Sequence, residues 1–336
     1  MPESRTVFFI CLMILALSLS GCGQRELQTY SRDFFAMDTY ITCKITSQDQ
    51  ALAERGLGAV EKAFVDIDSL TNRFDQQSEL QLINQNAGIA PVKVSQDTFT
   101  LVKTGVEWYQ RTDGAFNILI GSVMDLWGFG TDHPAVPGQD DVKQALSKAD
   151  CSKIVLDEAK STVFLPEKGM ILDLGGIAKG YATDKAVSTL QELSIKNALI
   201  NAGGNVYVLG NKADGTPWRV GVQDPRNPEG IKAVLQGRDQ ALVSSGDYQR
   251  YFEVDGVRYH HIIDPQSGFP SRASAGTTVV MESATIADVL STALFIKGPQ
   301  KGLEMAADMP GVGAVMMIST DGQMVGRNLD QYIVQP

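Results

Sequence analysis

Hydrophobic positions along this chain follow two periods, and the change between them divides it into helical and strand-like stretches. Residues 40–45 alternate as a strand does, and then Leu57, Val60, Phe64, Ile67 and Leu70 recur every three or four residues. That spacing predicts an amphipathic helix ending near Asn72, despite the helix-weakening Gly56 and Gly58. Ser95 is placed to cap a second helix through Phe99, Leu101, Val102, Val106 and Trp108, and Asp140 or Asp141 to start a short third one. From residue 153 the pattern turns to short strands, predicted over 153–156, 161–165 and 169–172, before a helix over 176–193. Strands resume over 198–209, 218–223 and 233–236. Asp255-Gly256 is a hairpin turn signal between strands 251–254 and 257–260. A strand over 277–281, a helix from Ser283 to near residue 296, and closing strands over 314–318 and 324–326 complete the pattern. The hairpin implies antiparallel sheet. No linker is long enough to separate independent domains and no fixed-period repeat occurs, so the expected architecture is one α+β catalytic domain over 30–336.

Composition changes this picture little. Of 336 residues, 43% are hydrophobic and 20% charged, an ordinary globular balance that excludes disordered, collagenous and coiled-coil chains. The net charge is −10, with no long basic block, which argues against a nucleic-acid partner. The N-terminus changes the compartment. Arg5 precedes an apolar run over 7–19 that is too short to span a bilayer and reads as a signal peptide. Leu19-Ser20-Gly21-Cys22 follows and resembles a bacterial lipobox. The expectation is a signal peptide over 1–21, lipid on Cys22, and a tether over 22–29. Among the other cysteines, Cys43 and Cys151 would lie in an oxidising compartment where a disulfide is permitted, although the strand-like alternation around Cys43 favours a buried free thiol. His133, His260 and His261 are the three histidines, and no close cysteine pair accompanies them. A zinc cluster is not supported.

Four segments can carry chemistry. In the first, residues 171–184, an apolar stretch meets Gly175-Gly176 and then a helix, so backbone amides can approach an anion at a helix N-terminus; paired glycines also make a plain tight turn. Neither a dinucleotide-binding G-x-G-x-x-G nor a P-loop is present. In the second, Asp288 and Thr292 stand at i and i+4 on one helical face. A carboxylate and a hydroxyl are hard oxygen ligands of the kind Mg²⁺ takes together with substrate phosphate, and on spacing alone they read equally as an Asp and a back-bonded Thr. In the third, residues 258–268, alternation puts His260 and His261 on opposite faces. The fourth runs from Asp113 through Ala115, Phe116 and Asn117 to Trp127 and Phe129, an aromatic, glycine-rich stretch able to wrap a planar ring or to pack in a core.

These segments in this order resemble the ApbE family of FAD:protein FMN transferases. Met37-Asp38-Thr39-Tyr40, Arg73-Phe74-Asp75, Ser78-Glu79-Leu80, Asn201-Ala202-Gly203-Gly204-Asn205 and Ser244-Ser245-Gly246-Asp247-Tyr248 extend the resemblance. It implies a T-fold-like antiparallel sheet and Mg²⁺-dependent transfer of FMN from FAD to a threonine hydroxyl of an acceptor protein, with release of AMP. It implies flavin and adenosine contacts at Met37, Phe74, Ala115, Phe116, Asn117, Asp173, Lys179 and Ile262, and Mg²⁺ held by Asp288, Thr292 and the carbonyl of Gly176. His261, directly before Ile-Ile-Asp-Pro, would be the catalytic histidine. The implied acceptor is an exported respiratory redox subunit with a D-x-x-[ST]-[AG]-T-like stretch, and the implied location is the periplasmic side of the inner membrane. Two residues depart from the family pattern: Asp38 stands where Gly is frequent, and Asn117 where Asp is common. An Mg²⁺-dependent FAD pyrophosphatase and a flavin-storing lipoprotein are the alternative readings.

Overall fold

The computed structural model describes residues 26–334, so the expected signal peptide and Cys22 lie outside the described residues. Its centre is an eight-stranded sheet whose strands are neighbours in the order in which the chain forms them: β1 (Gln28–Ala36), β2 (Thr39–Ser47), β3 (Ala198–Ala202), β4 (Asn205–Leu209), β5 (Gln240–Gly246), β6 (Gly276–Met281), β7 (Val312–Ile318) and β8 (Met324–Arg327). Every adjacent pair is antiparallel. The sheet is thus a meander with excursions between strands, and the α+β expectation of antiparallel sheet with packed helices holds.

The excursions carry the helices. Between β2 and β3 the chain forms α1 (Gln50–Thr71), α2 (Glu79–Gln85), α3 (Gln96–Arg111), α4 (Gly121–Trp127), α5 (Gln139–Leu146) and α6 (Ala178–Glu192); α7 (Ala284–Asp308) connects β6 to β7. Alternation along the strands separates two cores. Tyr207, Leu209, Ala241, Val243, Val279, Val315 and Met317 face the helical layer with Leu57, Val60, Phe64 and Ile67 of α1. Val206, Val208, Leu242, Val280, Ala314 and Met316 face the other way, onto Trp218, Val222 and Leu235 of a small sheet formed by strands Trp218–Asp224, Asn227–Gly237 and Ile333–Val334. Being covered on both faces is why β4 is buried at all five positions and why its sequence is almost continuously apolar.

Several boundaries differ from expectation. β1 starts at Gln28, so the last two residues assigned to the tether are already paired with β2. The stretch 198–209 is two strands, because Gly203 and Gly204 adopt φ of 59° and 93° and turn the chain back. Residues 169–172 form no strand. Leu172 instead exchanges both backbone bonds with the Asn84 side chain, and the carbonyl of Ile118 accepts from the amide of Asp173, so a buried extended segment is satisfied without a ladder. The helix after Ser283 continues past residue 296 to Asp308 across a break at Gly298 and Pro299. β5, half polar and ending in glycine, and β1, a polar edge strand, carry too weak an apolar pattern to be read as strands.

Candidate active site

A cavity of about 1320 Å³ opens between the end of the sheet and the helical layer, larger than the roughly 300–1,000 Å³ of an ordinary small-molecule pocket. Every site residue that the family resemblance implies, other than Cys22, lines it: Met37, Phe74, Ala115, Phe116, Asn117, Asp173, Gly176, Lys179, His261, Ile262, Asp288 and Thr292.

The floor is where α6 meets α7. A Cβ on Gly180 would come within 2.3 Å of the Ala284 carbonyl oxygen, so glycine is what allows the helices to touch. In that contact the buried Asp288 carboxylate accepts from the Gly180 amide at 3.0 Å. It thereby occupies the N-terminal end of α6, where the helix dipole favours negative charge. Burial nevertheless raises its pKa, offset in part by Lys179 and the Gly180 hydrogen bond. Asp184, one turn further along α6, accepts in return from the backbone amides of Ala284 and Thr285 and from the hydroxyls of Ser283 and Thr285. The buried Asn205 amide sits beside Asp288, where its approach also favours the ionised carboxylate, and its amide oxygen has no hydrogen-bond partner among the described residues. Thr292 has only a long contact from its hydroxyl to Ser245, 3.4 Å. A Cβ on Gly176 would lie 3.9 Å from that Thr292 hydroxyl and 3.0 Å from the Phe116 ring. Asp288, Thr292, the Asn205 amide oxygen and the Gly176 carbonyl are therefore hard oxygen donors gathered at one wall, and as a set they suit Mg²⁺. Asn205 closes the Asn201–Asn205 stretch of the resemblance but is not among the residues it implies as ligands.

The two histidines separate as alternation requires. His260 ends strand Val257–His260; its Nε2 meets the Ser271 carbonyl at 2.8 Å and its Nδ1 accepts from the Ile262 amide. Both nitrogens are used, the ring packs on Phe295 and the residue faces away from the large cavity. His261 lines the cavity. Its Nδ1 lies 3.2 Å from the Arg250 carbonyl, which can only accept, so the proton sits on Nδ1 and Nε2 keeps its lone pair. Burial and the neighbouring Arg250 charge push its pKa down to about 3, which keeps the imidazole neutral near pH 7. The Arg250 side chain in turn grips Asp38 through both its carbonyl and its carboxylate. Met37 and Asp38 form the two-residue turn between β1 and β2 with φ of 52° and 54°. That left-handed geometry explains a preference for glycine at position 38, and Asp is among the few other residues that tolerate it.

At the mouth Phe74 is 69% exposed and lies under the Arg73 guanidinium, 4.4 Å from ring centroid to carbon. Arg73 also bridges Asp173 at 3.0 Å and Asp125 at 2.7 Å. Asp173 receives the Gly175 amide, and Lys179 donates to the Gly175 carbonyl, which shapes the glycine turn before α6. Asn117 uses its whole amide: Nδ2 donates to the Ala149 carbonyl at 2.7 Å, while Oδ1 accepts from the Leu119 amide and the Cys151 thiol. An aspartate has no donor for Ala149, so Asn117 here ties two loops together. The stretch from Ala115 to Trp127 does not wrap the cavity as a loop. Its second half is α4, and Trp127 is fully buried against Phe129, Phe252, Tyr259 and Phe269, with its indole nitrogen donating to Gly268. Cys43 and Cys151 are both buried and free, and burial raises each thiol to about 12.

A family model described as the ApbE family matches residues 37–316. A protein of Treponema pallidum named FAD:protein FMN transferase is 35% identical, over 91% of this chain and 89% of its own; one of Klebsiella pneumoniae with the same name is 34% identical, over 86% and 89%. Among solved structures, the ApbE protein of Thermotoga maritima superposes with a TM-score of 0.83 at 32% identity, covering 89% of this chain and 96% of that one. The flavin transferase ApbE of Vibrio cholerae superposes with a TM-score of 0.79 at 27% identity, covering 90% and 97%.

Proposed function

The chain belongs to the ApbE family, and from that premise we propose that it transfers the FMN half of FAD to a threonine hydroxyl of an acceptor protein in an Mg²⁺-dependent reaction that releases AMP. The observation that carries this reading is the layout of the large cavity: an exposed aromatic at its mouth, a neutral histidine with a free nitrogen on its wall, and hard oxygen donors gathered at its floor. Phe74 offers a stacking face for the isoalloxazine, with Met37, Ala115, Phe116 and Ile262 as apolar wall, and Lys179 and the glycine turn after Asp173 take the phosphates.

Asp288, Thr292 and the carbonyl of Gly176 would hold Mg²⁺, with the Asn205 amide beside them; the ion would offset the charge of the diphosphate and orient it. His261 Nε2 takes the proton of the acceptor hydroxyl as its oxygen bonds to the phosphorus on the FMN side. The bond from that phosphorus to the bridging oxygen breaks, and AMP leaves with the bridging oxygen. A diphosphate beside the imidazole favours its protonated form, which strengthens the base only when substrate is present. The flavin is neither oxidised nor reduced.

Lipid on Cys22 would hold the enzyme on the periplasmic side of the inner membrane, where the acceptor is an exported respiratory redox subunit carrying a D-x-x-[ST]-[AG]-T-like stretch. No helix among the described residues is long and apolar enough to cross a membrane. The test is incubation with FAD, Mg²⁺ and such an acceptor, reading AMP release and flavin fluorescence retained on the acceptor in a denaturing gel. Transfer predicts both, and loss of the gel signal when the final Thr of the stretch is changed to Ala. AMP formed equally fast with and without acceptor identifies a pyrophosphatase, and bound FAD with no AMP a storage protein.

A further inference from the structure

On the far side of the His260-His261 segment lies a second pocket, about 460 Å³, lined by Arg226, Asp247, Arg258, His260, Ser271, Arg272, Ser274 and Thr320. We propose that this pocket is a binding site for a phosphate-type anion, distinct from the large cavity, built from Arg258, Arg272 and the hydroxyl of Ser274.

The charge arithmetic favours an anion. Three arginines converge on one pocket in a chain whose net charge is −10. One of them is already matched, since Arg226 meets both oxygens of the buried Asp247 at 2.8 Å. Arg258 lies over the Tyr251 ring at 4.0 Å and has only a loose contact to Glu253 at 3.5 Å, and Glu253 does not line the pocket. Arg272 lies over the Tyr259 ring at 5.4 Å, with no carboxylate within ion-pair distance among the described residues. Beyond the Arg226–Asp247 pair the wall therefore carries the uncompensated charge of Arg272 and the guanidinium of Arg258, whose charge is shared with Glu253 outside the pocket. Planar guanidiniums held against aromatic rings lose little freedom when they bind an oxyanion.

The independent sign of a ligand is Ser274. It is 1% exposed, lines this pocket, and its hydroxyl has no hydrogen-bond partner among the described residues. An unsatisfied buried hydroxyl costs about 1–3 kcal/mol, a cost removed if it donates to an oxyanion. The lining arrives from five parts of the fold: the turn after strand Trp218–Asp224, the ends of β5 and β7, strand Val257–His260, and the loop before β6. A phosphate monoester near pH 7 carries between one and two negative charges with several acceptor oxygens, which fits two arginines and a hydroxyl. The volume leaves room for an organic body on that phosphate.

The experiment is calorimetric titration of the purified protein with inorganic phosphate, repeated with adenosine monophosphate. Arg272→Gln and Ser274→Ala are compared with Lys179→Ala in the large cavity. The expected result is phosphate binding weakened tenfold or more by Arg272→Gln, weakened severalfold by Ser274→Ala, and unchanged by Lys179→Ala. FMN transfer from FAD stays at the wild-type rate in Arg272→Gln, and unfolding midpoints without ligand confirm that the variants fold. Tighter binding of the nucleotide than of phosphate, weakened by Arg272→Gln and kept in Lys179→Ala, identifies a nucleoside monophosphate as occupant of this pocket; equal binding with the same dependence identifies free phosphate. No detectable phosphate binding, or binding lost in Lys179→Ala and kept in Arg272→Gln, overturns the assignment. None of the binding readouts depends on turnover, so they stand apart from the transferase reading.

Discussion

Asp184 and Asp288 cap each other's helices. Asp184 of α6 takes four hydrogen bonds from the first residues of α7, and Asp288 of α7 takes the amide of Gly180 in the first turn of α6. The two carboxylates differ in what is left over. Asp184 spends its oxygens on capping, whereas Asp288 accepts one backbone amide and faces the cavity. One position is thereby structural and the other available for chemistry, although both lie in apolar helical surroundings of similar sequence.

Asp184→Ala should therefore destabilise the fold, by about 2–4 kcal/mol, because several charge-assisted bonds are lost and the amides at the start of α7 are left without a cap. Urea unfolding measures this. A change below about 0.5 kcal/mol would contradict the capping role.

Asp288→Asn should do the opposite to stability and abolish turnover. Its pKa is raised in the fold, so the stability linked to its proton is complete at pH below its unfolded value and is lost as pH rises through the folded value. At neutral pH without Mg²⁺ the ionised carboxylate is thus a burden, and an amide that keeps the Gly180 bond removes it. The expected outcome is a metal-free Tm equal to or above wild type, no Tm increase on adding Mg²⁺, and rates near background. Mg²⁺-dependent activity at the wild-type level would show that this carboxylate is not a ligand.

His261→Ala should lower the rate by roughly 10²- to 10⁴-fold, the usual range for a general base, with little change in stability. His260→Ala should instead lower stability, because it opens a buried site and strands the Ser271 and Ile262 groups. The pH dependence has a definite sign. The His261 pKa is depressed to about 3, so its contribution to stability is complete above the unfolded value near 6.5 and is lost as pH falls toward 3. His260 is depressed as well, by burial, and adds with the same sign. Stability measured between pH 7 and 4 should fall less steeply in His261→Gln than in wild type; identical slopes would argue that the imidazole is not desolvated.

Much of this architecture is legible in the sequence. The period of α1, the caps Ser95 and Ser283 and the Asp255-Gly256 hairpin are local signals, and each appears where its spacing placed it. Opposite faces for His260 and His261 follow from strand geometry alone. What stays hidden is non-local. Asn84 completing the backbone bonds of Leu172, Arg250 joining Asp38 to His261, and Asp184 capping α7 all depend on residues far apart in sequence. Trp127 is readable as core or as ligand wall, and only its four ring neighbours decide for core.

Asn117→Asp tests one departure from the family pattern. The donor to Ala149 disappears and a carboxylate faces a carbonyl oxygen, so a loss of about 1–3 kcal/mol is expected. Cys151, which donates to the same side chain, should react with a thiol reagent more slowly in the folded wild type than in unfolded protein, and faster in the variant than in wild type. Restored or raised activity without loss of stability would mean that the position serves the flavin and not the loops.

Phe74 gives a prediction at the mouth of the cavity. The ring is 69% exposed and packs on no core cluster, yet Arg73 is held over it while also bridging Asp125 and Asp173. A large apolar ring fixed in that position costs exposure to water and contributes little to folding, which is what a stacking platform requires. Base–aromatic stacking is worth about 1–3 kcal/mol, so Phe74→Ala should raise the KM for FAD by roughly 5- to 150-fold while leaving the urea midpoint unchanged, and Phe74→Trp should restore it. Arg73→Gln should show a fraction of the same KM effect together with a modest loss of stability, because it releases the ring and also unpairs two carboxylates. An unaltered KM in Phe74→Ala, or a KM change that merely follows a drop in Tm, would place the flavin elsewhere in the cavity.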